Sequence, residues 1–126
     1  MQDSTAMETF GPLSDQAFKA DLGKPRWVLL MRGCTHALSS VVRVLTFAVT
    51  PQAQGGKGYV PHSWQQVPNA EERYEDALYR HLEAIRNGEE YDPESGELHW
   101  AHVATNALFL AEFNETKRLR DVPEAE

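Results

Sequence analysis

The chain of 126 residues has a single cysteine, Cys34, which excludes an intrachain disulfide and any multi-cysteine zinc site. One thiol also suits a reducing compartment. No stretch approaches the roughly 18 consecutive apolar residues that a membrane-spanning helix needs. The opening residues, MQDSTAMETF, lack the basic segment and apolar core of a secretory signal, so a cytoplasmic location is expected. Positive charge is scarce as well. Twelve Lys and Arg stand against 19 Asp and Glu, a net charge of −7, which argues against duplex nucleic acid as a partner. An anionic ligand would then need cations to bridge it to the protein. There is no internal repeat, no low-complexity tract and no His-Asp dipeptide. What remains, 41% hydrophobic and 25% charged residues, is the composition of one soluble globular domain with a modest core.

The hydrophobic spacing predicts helices and no strands. Residues 1–24 read as a loosely held arm, with at most a short helix around 15–20. RWVLLM at 26–31 reads as an extended segment or a core-docking turn. Thr35 is placed to cap a helix running to about Val49, because Leu38, Val41, Val42, Leu45, Ala48 and Val49 recur at helical spacing. Pro51 ends it, and residues 50–68 form a long loop with three prolines and three glycines. Loops of that length in compact domains are often functional. A second helix starts at Asn69, with Glu72 at its third position as in a capping box, and Gly88 closes it. Tyr74, Ala77, Leu78, His81, Leu82 and Ile85 line one face of it. Ser95 is expected to cap a third helix to about Phe113, with residues 114–126 a loosely held tail. Leu98, Ala101, Ala104, Thr105, Leu108, Phe109 and Phe113 spread widely around that helix, which points to burial against a partner subunit.

Polar residues interrupt the apolar pattern of the second and third helices. His81, His99, His102 and Asn106 stand where a core-only hairpin would use Leu and Ala, and such groups are costly to bury unpaired. If the helices fold back near Pro93, His81 comes close to His102 and Asn106. His99, His102 and Asn106 share one face at three- and four-residue spacing. The intervening loop supplies Glu89, Asp92 and Glu94. Plainer readings stand beside each. His99 also fits a capping or loop-anchoring role, and a histidine such as His81 is often a satisfied core residue. Asp-Pro-Glu-Ser-Gly also fits a tight turn whose acids favour the next helix's dipole. Arg73 and Arg80 also fit surface pairs with Asp76. Tyr59 and Trp64 fit either base stacking or packing of the long loop on the core.

RYEDALYRHL, then GEEYDPESG, then His99 and His102 followed by NALFL form a pattern with no gap from Arg73 onward. With GKPRWVLL, VVRVLTF, KGY at 57–59 and Trp64 upstream, it resembles the phage dATP/dGTP pyrophosphohydrolases of the MazZ type over residues 23–113. These are relatives of the MazG-like all-α nucleoside triphosphate pyrophosphohydrolases. The stretch AVTPQAQGG before Lys57 is longer than in related sequences. The resemblance implies one all-α domain over residues 1–126, a MazG-like helical bundle completed by oligomerisation to a dimer or tetramer. It implies Mg²⁺- or Mn²⁺-dependent cleavage of dGTP or dATP to the monophosphate and pyrophosphate. In phages that replace adenine with 2-aminoadenine, the dGMP would feed the modified nucleotide, in the host cytoplasm.

Such chemistry needs divalent cations to neutralise phosphate oxygens and to acidify the attacking water. Hard cations prefer carboxylates, and manganese also accepts imidazole. The metal set expected is therefore His81, Glu89, Asp92, Glu94 and His102, with Glu89, Asp92, Glu94 and His102 catalytic. Lys57, Tyr59, Trp64, Arg73, Arg80, His99 and Asn106 are expected to contact substrate. The pairs Glu72/Glu75 and Glu89/Asp92 also echo an ExxE and ExxD pattern. Glu72 and Glu89 would, however, lie about 25 Å apart along one helix at ~1.5 Å per residue, too far for one cluster within a subunit. Two other classes compete: an HD-type triphosphohydrolase, disfavoured by the missing His-Asp, and a non-catalytic helical oligomerisation module.

Overall fold

A computed structural model describes Ala20 and residues 22–122. The chain divides into two compact units, residues 1–33 and 34–126. In the first, RWVLLM forms a short helix, α1 (Trp27–Met31), rather than an extended segment or turn. Pro25 precedes its cap residue Arg26, a placement that suits a helix start. Most of the expected arm, including nearly all of 15–20, lies outside the described residues.

The second unit holds three helices: α2 (Thr35–Val49), α3 (Ala70–Arg86) and α4 (His99–Arg120). Among the described residues there is no strand, only an isolated antiparallel bridge between Tyr91 and Leu98. The all-α class follows. α2 has the predicted length, with Thr35 as its first residue and Cys34 at the cap. α3 begins after Asn69 as predicted, but without the capping box. Asn69 adopts φ +55°, and its side chain makes no cap hydrogen bond. A capping side chain needs an extended backbone to turn back on the helix amides.

α4 departs further from expectation. It starts at His99 rather than after Ser95, and it continues to Arg120 rather than ending near Phe113. Ser95 is drawn instead into the loop before the helix. The basic residues Lys117, Arg118 and Arg120 occupy the last turn, where they complement the negative end of the dipole.

α3 and α4 run antiparallel. Asn114 reaches Glu71 at one end, and His81 meets His99 and His102 at the other. α4 also packs against α2, so it is the central element, and it supplies most of the buried residues: His99, Ala101, Thr105 and Asn106. Val44 of α2 and Ala101 are the buried hydrophobic residues among those described, a thin core for the unit. A cluster of rings adds to it. Trp64, from the short 3₁₀ turn Ser63–Gln66, stacks on Phe109 at 4.0 Å between centroids, with Tyr74 and Phe113 set edge-on to it. The Tyr74 hydroxyl donates to the Trp64 carbonyl at 3.0 Å, so the long loop is fastened at its far end.

The near end of that loop folds back on α2. The N–H groups of Lys57 and Tyr59 donate to the carbonyls of Phe47 and Ala48, which satisfies acceptors left open by the helix end. Gly55 and Gly56 make the reversal possible for different reasons. Gly55 takes φ +96° in open surroundings. At Gly56 a Cβ would collide with the Thr50 carbonyl and lie 2.7 Å from the Phe47 carbonyl oxygen.

Candidate metal and phosphate site

The site is built where α3 ends, the 87–98 loop turns, and α4 begins. Gly88 at φ +91° releases the chain from α3. The loop then closes on itself: the Asp92 N–H donates to the Glu97 carbonyl and the His99 N–H to the Glu90 carbonyl. Asp92 organises the turn, its Oδ2 accepting the Ser95 N–H at 2.9 Å. The Asp-Pro-Glu-Ser-Gly stretch is thus a tight turn, and it carries the Asp92 carboxylate to the helix faces.

Three imidazoles meet that carboxylate. His81 Nδ1 and His99 Nδ1 are 2.8 Å apart, and the His81 ring lies flat against His102 with centroids 4.4 Å apart. His81, Asp92 and His99 each offer one ligand atom within 4.8 Å of the others. His102 sits beside them, its Nε2 at 2.6 Å from the Ser95 hydroxyl and 3.4 Å from Asp92 Oδ2. His99 is almost wholly buried, and its Nε2 is 2.7 Å from Glu89 Oε1. Asn106 is buried one turn further along α4, where its amide donates to the His102 carbonyl.

Electrostatics keep the site ready to accept a cation. Burial, and the neighbouring His102 and His99, push the His81 pKa down to about 4, against a weaker opposing pull from Asp92. Burial also lowers His102, opposed by the Asp92 charge. For Asp92, burial pushes upward, but the Ser95 backbone and hydroxyl hydrogen bonds and the adjacent histidines hold it below the ordinary carboxylate value. At neutral pH, His81 and His102 are therefore neutral lone-pair donors and Asp92 is an anion. That is the protonation state that metal ligation requires.

The remaining expected residues divide into three groups. Glu94 pairs with Lys57 Nζ at 2.8 Å, which raises the Lys57 pKa, and its charge is near enough to act on His102. Tyr59 is exposed, with its ring 6.0 Å from that ammonium. Both lie at the rim. Arg80 is exposed beside His81, near enough that its charge helps lower the His81 pKa. Arg73 is two turns back on α3, about 12 Å from His81 along the axis at ~1.5 Å per residue. Neither arginine forms an ion pair with Asp76 among the described residues. Trp64 has its ring face covered by Phe109 in the aromatic cluster, which is the packing role of the two open to it. Glu72 and Glu75 lie toward the other end of α3, away from the histidines, and Glu75 accepts the Tyr79 hydroxyl at 2.8 Å.

Two features escape the sequence reading. Ser95 acts on His102 and on the Glu97 N–H rather than as a helix cap, and an Asp three residues before a Ser in a Pro-containing turn is the signal for it. Arg43 Nε binds both oxygens of Glu97 at 3.0 Å and ties α2 to the site loop, a link between distant residues that no local pattern reveals.

This arrangement defines an all-α protein with a two-imidazole, one-carboxylate donor set at the closed end of a helical hairpin. The family model described as dATP/dGTP diphosphohydrolase, N-terminal, matches residues 14–122. The chain belongs to that family, and with it to the nucleoside triphosphate pyrophosphohydrolases. Neither the curated proteins nor the solved structures contain a match to it. No helix among the described residues is long and apolar enough to cross a membrane.

Proposed function

We propose that the chain hydrolyses dGTP and dATP between the α- and β-phosphates, releasing the deoxynucleoside monophosphate and pyrophosphate in a metal-dependent reaction. The observation that carries this is the convergence of His81, Asp92 and His99 to within 4.8 Å, beside a neutral His102. A divalent ion held by these groups would neutralise phosphate oxygens and acidify the attacking water. The mixed donor set favours Mn²⁺ over Mg²⁺, which prefers oxygen ligands alone.

The protein's own groups have distinct parts in this reading. His102, a neutral imidazole at neutral pH, accepts the proton of the attacking water, and the Ser95 hydroxyl beside its Nε2 keeps the ring in place. Lys57 leaves Glu94 and pairs with a phosphate oxygen that the cations do not reach, with Arg80 beside it. Glu94, once released, adds a carboxylate to the site. Tyr59 stacks on the base, a contact that favours the larger purine face. Exposed apolar side chains on the second unit, including Val42, Tyr79, Trp100 and Leu108, support a homo-oligomer, a dimer or tetramer. In a phage whose DNA carries 2-aminoadenine, the dGMP would supply the modified nucleotide, in the host cytoplasm.

The test is incubation with each of the four dNTPs and Mn²⁺ or Mg²⁺, followed by separation of the products. Pyrophosphate with dGMP or dAMP supports the reading. Inorganic triphosphate would transfer the chain to the HD-type chemistry, and no turnover with either ion would overturn the proposal.

A further inference from the structure

His99 makes two hydrogen bonds through its two ring nitrogens, and they are not independent. Nε2 lies 2.7 Å from Glu89 Oε1, and Nδ1 lies 2.8 Å from His81 Nδ1. A carboxylate oxygen only accepts, so the hydrogen in the first contact belongs to His99 Nε2. A neutral imidazole has one N–H. With it spent on Glu89, His99 Nδ1 carries a lone pair, and the hydrogen between the two rings must come from His81 Nδ1. The reverse order would set a bare Nε2 against a carboxylate at hydrogen-bond distance, lone pair against anion.

We infer that Glu89 is a positioning residue rather than a metal ligand: through Nε2 it fixes the tautomer of His99 and so makes Nδ1 the donor atom presented to the site. The inference deepens the metal reading above and rests on it. Glu89 is suited to the part by its place. Its side chain is about half exposed on the loop after α3, whereas the His99 side chain it holds is 4% exposed. The carboxylate therefore keeps its solvation while its hydrogen bond reaches a buried ring. A carboxylate behind a ligating histidine both orients the ring and raises its basicity, and losing such a partner typically costs ~10–100-fold in metal affinity. The two histidines then differ in readiness. His99 has its Nδ1 lone pair set before any ion arrives, whereas His81 must give up its Nδ1 hydrogen before that nitrogen can ligate.

The experiment uses the full chain, labelled with ¹⁵N-histidine and free of metal, together with Glu89→Ala and Asp92→Ala. The ring-nitrogen shifts of wild-type His99 should show the proton on Nε2 and a bare Nδ1, and Glu89→Ala should turn His99 into a tautomer mixture. Calorimetric titration with Mn²⁺ should show ~10–100-fold weaker binding in Glu89→Ala and no binding in Asp92→Ala. Far-UV circular dichroism should be unchanged, since Glu89 lies outside the helices. A proton on Nδ1 of wild-type His99, or a Glu89→Ala variant that loses Mn²⁺ as completely as Asp92→Ala, overturns the inference. Should the wild-type chain bind no Mn²⁺ at all, the metal reading fails, and the nitrogen shifts alone decide what Glu89 does.

Discussion

The two ends of the α3–α4 hairpin use the same helical spacing for opposite purposes. At the open end, Tyr74 meets Phe109 and Phe113, and Trp64 is laid over them from the loop. At the closed end, His81 meets His99 and His102 in equivalent positions across the helices. Rings fill the gap in both places. The aromatic end gains from leaving water, while the imidazole end recovers its desolvation only through partners: Glu89, Asp92 and Ser95. On the function proposed above, the aromatic end serves packing and the imidazole end chemistry.

The comparison predicts that substitutions at the two ends fail differently. Asp92→Ala should reduce metal-dependent turnover to background while helical content, read by circular dichroism, stays intact. Activity near wild type would remove Asp92 from the site. Phe109→Ala should act the other way, destabilising the chain by about 2–3 kcal/mol because its half-buried ring carries the Trp64 stack. Its Mn²⁺ affinity, measured well below the melting temperature, should match wild type. A coupled loss of affinity would show that the two ends are one unit.

The pH response should sharpen the contrast. His81 titrates near 4 in the fold against an ordinary value of 6.5, so between those values the unfolded chain binds more protons. Its contribution to stability is complete above pH 6.5 and is lost as the pH falls toward 4. Thermal melts of the metal-free protein should show that decline, and His81→Asn should flatten it, whereas Phe109→Ala should shift the whole curve without changing its slope. A His81→Asn curve parallel to wild type would dismiss the imidazole as the cause.

Smaller effects are expected at the rim. Lys57→Ala should raise KM for dGTP about tenfold with little change in Tm, because the exposed pair with Glu94 is worth well under about 1 kcal/mol. An unchanged KM would leave Lys57 a loop fastener. Tyr59→Ala should raise KM for dGTP a few-fold and more than for dCTP; equal shifts for both nucleotides would take base stacking away from Tyr59.

Much of this division was legible from the residues. Periodicity located α2 and α3 nearly to the residue, and folding the chain back near Pro93 brought His81 to His102. The start of α4 was not legible, because Ser95 carries the signature of a cap while its hydroxyl is engaged by His102, a partner seven residues on. The roles within the site were harder still. Glu89, Asp92 and Glu94 all carry a carboxylate, yet one faces His99, one organises the turn and one pairs with Lys57 from a distant loop. Charge and spacing bring such groups to a neighbourhood. Which atom each finally meets depends on tertiary contacts with no local signature, of which Arg43 with Glu97 is the clearest.

The reversal under α2 has a consequence in handedness. Gly55 and Gly56 are neighbours, but Gly55 is needed for its torsion angle and Gly56 for its emptiness. A left-handed backbone is the natural state of a mirror-image residue, so a chain assembled chemically with D-alanine at position 55 should fold as well as the natural one. L-alanine at the same position carries a torsional penalty of about 1 kcal/mol. At position 56, L-alanine meets the Thr50 carbonyl on the backbone the reversal adopts, and the strap that presents Lys57 would have to be rebuilt around it.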